Sequence, residues 1–435
     1  MRKSYRFITA IVMFAMVAAG VFSGRIASAQ DKVTIKWWHE TTDTVKAGYW
    51  QGMADAYTKA HPNVTFEILG LENEAYKAKL ATAMQAGDPP DIFWSWGGGV
   101  LWNYAKAGLT RNIAPELKGD WKDSFAAKAA LELYGQNGEY YGVPFDWGAV
   151  GMFYNKALFK KAGLDPEKTP TTWAELLTTV KALKAAKITP IVIGEKDKWP
   201  GHFWYGYLAT REAGEAGFLA AYTRKGSFTD APFVKAFADL KELVDLNAFQ
   251  EGFLASAYPD AENIMGNGGA AMELMGQWSP GAQKDNSSNK DGLGADLGWF
   301  PFPAIDGGKG NPTDVFGGGD GFAVGKNAPD AAVDFLKFVT SKENQIAGGD
   351  AKYAITVPPT VKGADEAIAK DPVLSAIVKT RDAAPYFQLY YDQFLPPALA
   401  GSILDAAEGV FAGTTTPEQA AQMVEDSAKI ELASK

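Results

Sequence analysis

There is no cysteine anywhere in the 435 residues. No disulfide, thiolate metal site or cysteine nucleophile can form. No lipid tether can be attached through a cysteine after export either. Charge is sparse as well: 21% of residues are charged against 47% hydrophobic, which excludes a largely disordered chain. Basic residues are the minority, 42 against 51 acidic. Internal repeats and low-complexity tracts are missing, so repeat architectures are excluded.

The first 29 residues stand apart. Arg2, Lys3 and Arg6 form a basic start, residues 7–22 are apolar, and Ala27-Ser28-Ala29 is a small-residue cleavage site before Gln30. The apolar run is at the short end for a membrane span. Residues 1–29 are therefore expected to be a signal peptide, and without twin arginines the general secretory route is implied. Removing its four basic residues leaves 38 of the 42 against 51 acidic, a net charge of −13. That balance argues against nucleic acid and anionic lipid as partners. The expected location is free in a periplasm, with secretion as the alternative.

Length allows two to three domain-sized units. From residue 33 the pattern is strand, helix, strand, helix, strand, helix. Val33–Trp38, Val64–Ile68 and Asp91–Trp96 read as strands, with helical periodicity at Val45, Tyr49, Met53 and Tyr57 and again over 74–86. These lengths predict an α/β protein with a parallel sheet. Ligands of such sheets bind beyond the carboxyl ends of the strands. Trp38, His39 and Glu40, then Asn73 and Glu74, then Trp94 and Trp96 should share that rim. Trp94 and Trp96 point the same way, and burial under a helix is the competing explanation for both.

The passage Tyr140-Tyr141-Gly142-Val143-Pro144-Phe145-Asp146-Trp147-Gly148 interrupts the pattern. Pro144 cannot donate to a sheet ladder, so the chain should leave one sheet there and enter another. Phe145, Asp146 and Trp147 then border a cleft between two lobes. Similar Gly-rich passages at Gly276-Gln277-Trp278-Ser279-Pro280 and 316–324 predict two further crossings. The expected division is lobe I at 32–145 and 278–314, and lobe II at 147–275 and 321–435. Hinges then fall near 145–147, 275–278 and 315–321, where glycines absorb backbone rotation.

The ordered series of short stretches resembles the solute-binding proteins of ABC sugar importers, the group that includes the maltose-binding protein. The carrying stretches are Gly87-Asp88-Pro89-Pro90-Asp91-Ile92-Phe93-Trp94, Tyr141-Gly142-Val143-Pro144, the run 153–164 (from Phe153-Tyr154-Asn155-Lys156 to Gly163-Leu164), Pro170-Thr171-Thr172-Trp173-Ala174-Glu175-Leu176, Ala270-Ala271-Met272-Glu273-Leu274-Met275-Gly276-Gln277-Trp278, and 317–324. The resemblance spans the whole mature chain. It implies a two-lobed periplasmic-binding-protein fold of type II, each lobe a mainly parallel sheet flanked by helices, joined by a multi-strand hinge. It further implies a monomer that closes on a disaccharide or short oligosaccharide and delivers it to the permease subunits of the transporter. Catalytic residues, cofactors and metals are not part of that picture.

The chemistry suits such a ligand. A sugar offers C–H faces to aromatic planes and hydroxyls to planar polar groups. By the resemblance, Trp278 stacks on sugar, His202, Phe203 and Trp204 belong to an aromatic ledge of lobe II with His202 and Trp204 the chosen contacts, and Tyr390, Tyr391, Asp392 and Gln393 lie near a late aromatic contact, for which Tyr391 is chosen. Asp320, among glycines, could take a hydroxyl or cap the next element.

Three other readings compete. Tyr140-Tyr141 and Tyr390-Tyr391 suit a ferric-ion binder of related fold. A glycoside hydrolase needs two carboxylates about 5–9.5 Å apart, which Glu40, Glu74 and Asp320 could supply. A static adhesion module needs no closure. The stretch 285–291 looks superficially like a calcium loop, but Lys290 sits where glycine is required.

Overall fold

The computed structural model describes residues 31–350, 355 and 357–433, so the expected signal peptide lies outside the described residues. The strand Val33–His39 alternates, with Ile35, Trp37 and His39 buried and Thr34 and Lys36 exposed. Helix Thr44–Ala60 begins where Asp43 accepts from the amides of Val45 (2.9 Å) and Lys46 (3.0 Å), which satisfies two otherwise unpaired donors. Val64–Gly70 pairs with the first strand in parallel, from Val33 against Val64 to His39 against Gly70. Glu72 caps helix Asn73–Gln85. The third parallel strand, Ile92–Ser95, is buried throughout.

Both lobe sheets are mixed rather than mainly parallel. In the first, Gly321–Val324 runs antiparallel to Ile92–Ser95, and Gly142–Pro144 lies beyond it. In the second, the order is Leu297–Phe300, Gly151–Asn155, Met272–Met275, Ile191–Val192, and only the last pair is parallel. A third sheet of Phe387–Leu389, Val315–Gly318 and Gly148–Ala149 joins the lobes.

Two separate cores define the lobes. One draws on residues 35–147 and 322–364. The other draws on 149–316 and 368–432. This corrects the division expected from the turns. Residues 278–314 belong to lobe II, because Leu297–Phe300 pairs with Gly151–Asn155 and helix Ser279–Asn286 packs on helix Tyr258–Gly266. Residues 321–350 and 357–364 belong to lobe I. The Gly-Gln-Trp-Ser-Pro turn reverses the chain within one lobe; Gly and Pro mark a turn whether or not the chain changes lobe. There are still three crossings, near 147–149, 316–322 and 364–368.

The second crossing is tight. An added Cβ at Gly319 would lie 2.1 Å from the Asp146 carbonyl oxygen. Gly319→Ala is expected to lower stability by about 1–3 kcal/mol through forced backbone displacement, as read by urea denaturation. An unchanged midpoint would show that the hinge strands can separate freely.

Candidate functional site

A cavity of about 480 Å³ lies between the lobes. Lobe I contributes the residues just beyond its parallel strands: Glu40 and Thr41, then Glu72, Asn73 and Lys77, then Trp94 and Trp96. This is the carboxyl-end rim that the crossover pattern dictates. The hinge side is formed by Phe145, Asp146 and Asp320. Lobe II contributes Trp199 and Phe203 from the first turns of helix Trp199–Tyr222, then Tyr258, Trp278, Tyr390 and Asp392.

Of the residues chosen from sequence, the cavity wall holds Glu40, Asn73, Trp94, Trp96, Phe145, Asp146, Trp278 and Asp320. Seven others lie elsewhere. Trp38 faces away and packs under Lys79, 5.0 Å from its ring. His39 is buried against Trp37 and Trp50 and accepts from the Thr41 amide at 3.2 Å. Burial lowers its pKa to about 4, so it is a neutral core histidine. Glu74 turns to Lys77, 2.9 Å away. Trp147 is buried and stacks on Phe387, ring centres 4.4 Å apart. Trp204 is in the lobe II core against Phe249 and Phe302. Tyr391 stacks on Phe218 at 5.3 Å. His202 sits behind the wall: Nδ1 is 2.6 Å from the Trp199 carbonyl and Nε2 3.3 Å from Asp392. Burial holds its imidazole below the ordinary value despite Asp392.

Trp199, Phe203 and Tyr390 are the aromatics in their place. Trp199 and Phe203 are four apart at the start of a helix with proline in its first turn, so they share one face. Setting the helix start at Trp199-Pro200 makes that face legible in the sequence; treating the segment as a loop hides it. The tyrosines of the ferric alternative are not gathered. Tyr140 and Tyr141 donate to Glu132 and Glu139, each at 2.6 Å, and neither lines the cavity. The loop at 285–291 uses its oxygens internally, with Asn289 accepting from Ser287, Asp291 and Gly292.

The hinge corner is acidic. Burial raises Glu40 to about 7, with Lys77 opposing, and raises Asp146 to about 7. Asp320 is raised well above the usual carboxylate range by burial, then by Asp146 and Glu40. A carboxyl raised in the folded state is stabilising while protonated, and that contribution is lost as pH rises from its unfolded value. Glu40→Gln should therefore match wild type near pH 4.5 and become progressively more stable than wild type up to about pH 7. Parallel thermal melts across that range measure the gap; a constant gap contradicts the assignment.

Among the described residues, seven buried polar atoms on cavity residues make no hydrogen bond within the protein: Asn73 Oδ1, Trp94 Nε1, Trp199 Nε1, Asp320 Oδ1, Asp392 Oδ1 and the hydroxyls of Tyr258 and Tyr390. Buried polar groups are otherwise almost always paired. Trp96, Trp278 and Tyr390 line the same cavity. Among the described residues, no helix is long and apolar enough to cross a membrane.

Two α/β lobes, three crossings and a polar–aromatic cleft at the hinge define a two-lobed solute receptor of the type II periplasmic fold. The family described as bacterial extracellular solute-binding protein matches residues 41–346, and the chain belongs to it. The "Multiple sugar-binding protein" of Streptococcus mutans is 25% identical over 289 residues, 63% of each chain. The sn-glycerol-3-phosphate-binding periplasmic protein of Pectobacterium atrosepticum is 24% identical, covering 79% of this chain and 76% of its own. A structure from work on xylan utilization by Caldanaerobius polysaccharolyticus superposes with a TM-score of 0.83 at 29% identity, covering 90% of this chain and 99% of its own. A chitin oligosaccharide binding protein gives 0.83 at 27% identity, covering 93% and 100%. The chain is thus an exported substrate-binding component of the ABC sugar-transporter type.

Proposed function

We propose that this protein captures a disaccharide or short oligosaccharide in the interlobe cleft and hands it, chemically unchanged, to an ABC permease. Trp96, Trp278 and Tyr390 supply planes for sugar C–H faces. Asn73, Asp146, Asp320, Asp392 and the indole of Trp199 supply hydrogen bonds to hydroxyls. The observation that carries this reading is the set of seven unpaired buried polar atoms on the residues of one cavity that aromatic side chains also line. Hydroxyls of a sugar are the partners that such atoms lack. Asp146 and Asp320 lie side by side rather than facing each other across the cavity, which favours binding over glycoside cleavage. The protein acts as a monomer, free in the periplasm because no cysteine can anchor it.

A thermal-shift panel tests this. Two structural neighbours above 25% identity concern xylan utilization and chitin oligosaccharide binding, so xylo- and chito-oligosaccharides head the panel, followed by gluco-, arabino-, galacto- and manno-oligosaccharides. A ligand at 100 times its Kd adds about 2.7 kcal/mol of stability. The expected result is a shift of several degrees for one series, with the sugar recovered at unchanged mass. No shift for any glycan, before or after unfolding and refolding to strip a co-purified ligand, contradicts the reading.

A further inference from the structure

The hinge corner of the cavity carries three carboxyls, Asp146, Asp320 and Glu40, and among the described residues the cation that bears on it is Lys77 alone, outnumbered three to one. Backbone geometry fixes the two aspartates together. The amides of Phe145 and Asp146 donate to the Asp320 carbonyl at 2.7 and 3.0 Å. The Asp320 amide donates back to Asp146 Oδ1 at 3.1 Å, and Gln277 Nε2 donates to the same oxygen at 2.9 Å. Asp320 Oδ1 has no partner within the protein. Both aspartates are buried, at 2% and 5% exposure.

Two lysines of the described residues line the cavity, and each is shared with another carboxylate. Lys77 pairs with Glu74 at 2.9 Å and lies over the rings of Trp96 (5.3 Å) and Trp199 (5.8 Å). Lys46 pairs with Asp285 across the cleft. Among the described residues, no arginine lines the cavity. Glu72 and Asp392 add further negative charge from the two walls, and Tyr134 and Tyr390 face the aspartates with hydroxyls only.

We propose that Asp146, Asp320 and Glu40 form a charge filter that admits neutral and basic sugars and rejects sugars bearing a carboxylate or phosphate. This rests on the sugar reading above and refines it. An anionic group about 5 Å from an ionised carboxylate at an effective dielectric near 20 is disfavoured on the order of 100-fold. A phosphate or carboxylate is best held by arginine or lysine forks, and among the described residues this corner offers only Lys77, which Glu74 already pairs. A basic amine meets the opposite field. Its proton can be shared with Asp320 Oδ1, the acceptor that the protein leaves unmatched. Neutral hydroxyls donate to the same oxygen without the electrostatic gain.

The test uses matched probes at pH 8 by calorimetry: xylotriose against the same backbone bearing a glucuronic acid branch, and triacetylchitotriose against its de-N-acetylated amine. Whichever neutral backbone binds, its acidic form should bind at least about 100-fold more weakly, and the amine at least as tightly as the acetylated form. Glu40→Gln should narrow the neutral–acidic gap at pH 8 by tenfold or more, with Asp146→Asn as a second variant. An acidic form binding within threefold of the neutral one overturns the filter, as does a gap unchanged in both variants. If no glycan binds, the sugar reading fails, and melting curves of the ligand-free protein still decide the filter. Asp320→Asn must then be more stable than wild type at pH 8 and equal to it near pH 4, because it removes an uncompensated charge; equal stability at pH 8 overturns the proposal.

Discussion

Arg211→Ala is expected to destabilise lobe II by about 3–5 kcal/mol, the largest single-residue loss in the molecule outside the aromatic core. Arg211 is 2% exposed, on helix Trp199–Tyr222. Its guanidinium donates to the carbonyls of Phe302 (2.9 Å), Pro303 (3.1 Å), Asp314 (2.7 Å) and Asn311 (3.4 Å). It also lies over the rings of Tyr207 and Phe302, at 5.3 and 5.9 Å. Those carbonyls belong to the segment that leads from the lobe II sheet into the hinge. Alanine leaves them buried and unpaired and removes the cation from two ring faces. Lysine should rescue little, because a point charge cannot serve a fork of carbonyls. Urea denaturation followed by intrinsic fluorescence measures the loss. A decrease under about 1 kcal/mol would mean that water or a shifted helix satisfies the carbonyls instead.

Trp278→Ala is expected to weaken sugar binding by about 2–3 kcal/mol, roughly 30- to 150-fold. Trp278 stands between the lobe II helix Ser279–Asn286 and the cavity, and its ring meets Trp199, Phe203 and Tyr390 at 6.2–6.3 Å. It is only half-buried, so part of its face is available to a ligand. Removing it costs the sugar a stacking plane and loosens the other rings. Tyrosine or phenylalanine at 278 should restore most of the affinity, since a plane is what the site requires. Calorimetry on the three variants checks this; an alanine variant with unchanged Kd removes Trp278 from the site.

These two residues illustrate what the sequence could and could not disclose. Trp278 is legible: it follows a buried strand and sits in a turn, where core packing explains it poorly. Arg211 is not, because its partners at 302–314 come together with it only after the lobe II sheet has formed. The same limit applies to lobe membership. Leu297–Phe300 and Gly321–Val324 are short strands whose choice of sheet depends on pairing across more than a hundred residues. Turn chemistry is local and cannot encode that choice. Register errors of one residue account for Trp204 and Tyr391. In a helix, the neighbour of a cavity residue points into the core, and Phe203 and Tyr390 take the cleft instead. The strand-end rim of lobe I was legible because parallel β–α crossovers force it, and Glu40, Asn73, Trp94 and Trp96 all lie on it. Trp38 fails the same rule through strand alternation: Trp37 turns inward under Phe335 and Phe322, and Trp38 turns out to Lys79.

The central claim is that both lobes close on one sugar. Amide hydrogen exchange with and without the sugar found in the thermal-shift panel tests it most directly. Slower exchange is expected at 39–41, 72–77 and 94–97 in lobe I, at 199–203, 276–282 and 390–393 in lobe II, and at the hinge around 145–149 and 316–321. Protection confined to one lobe, or binding with no protection at the hinge, would contradict capture between the lobes.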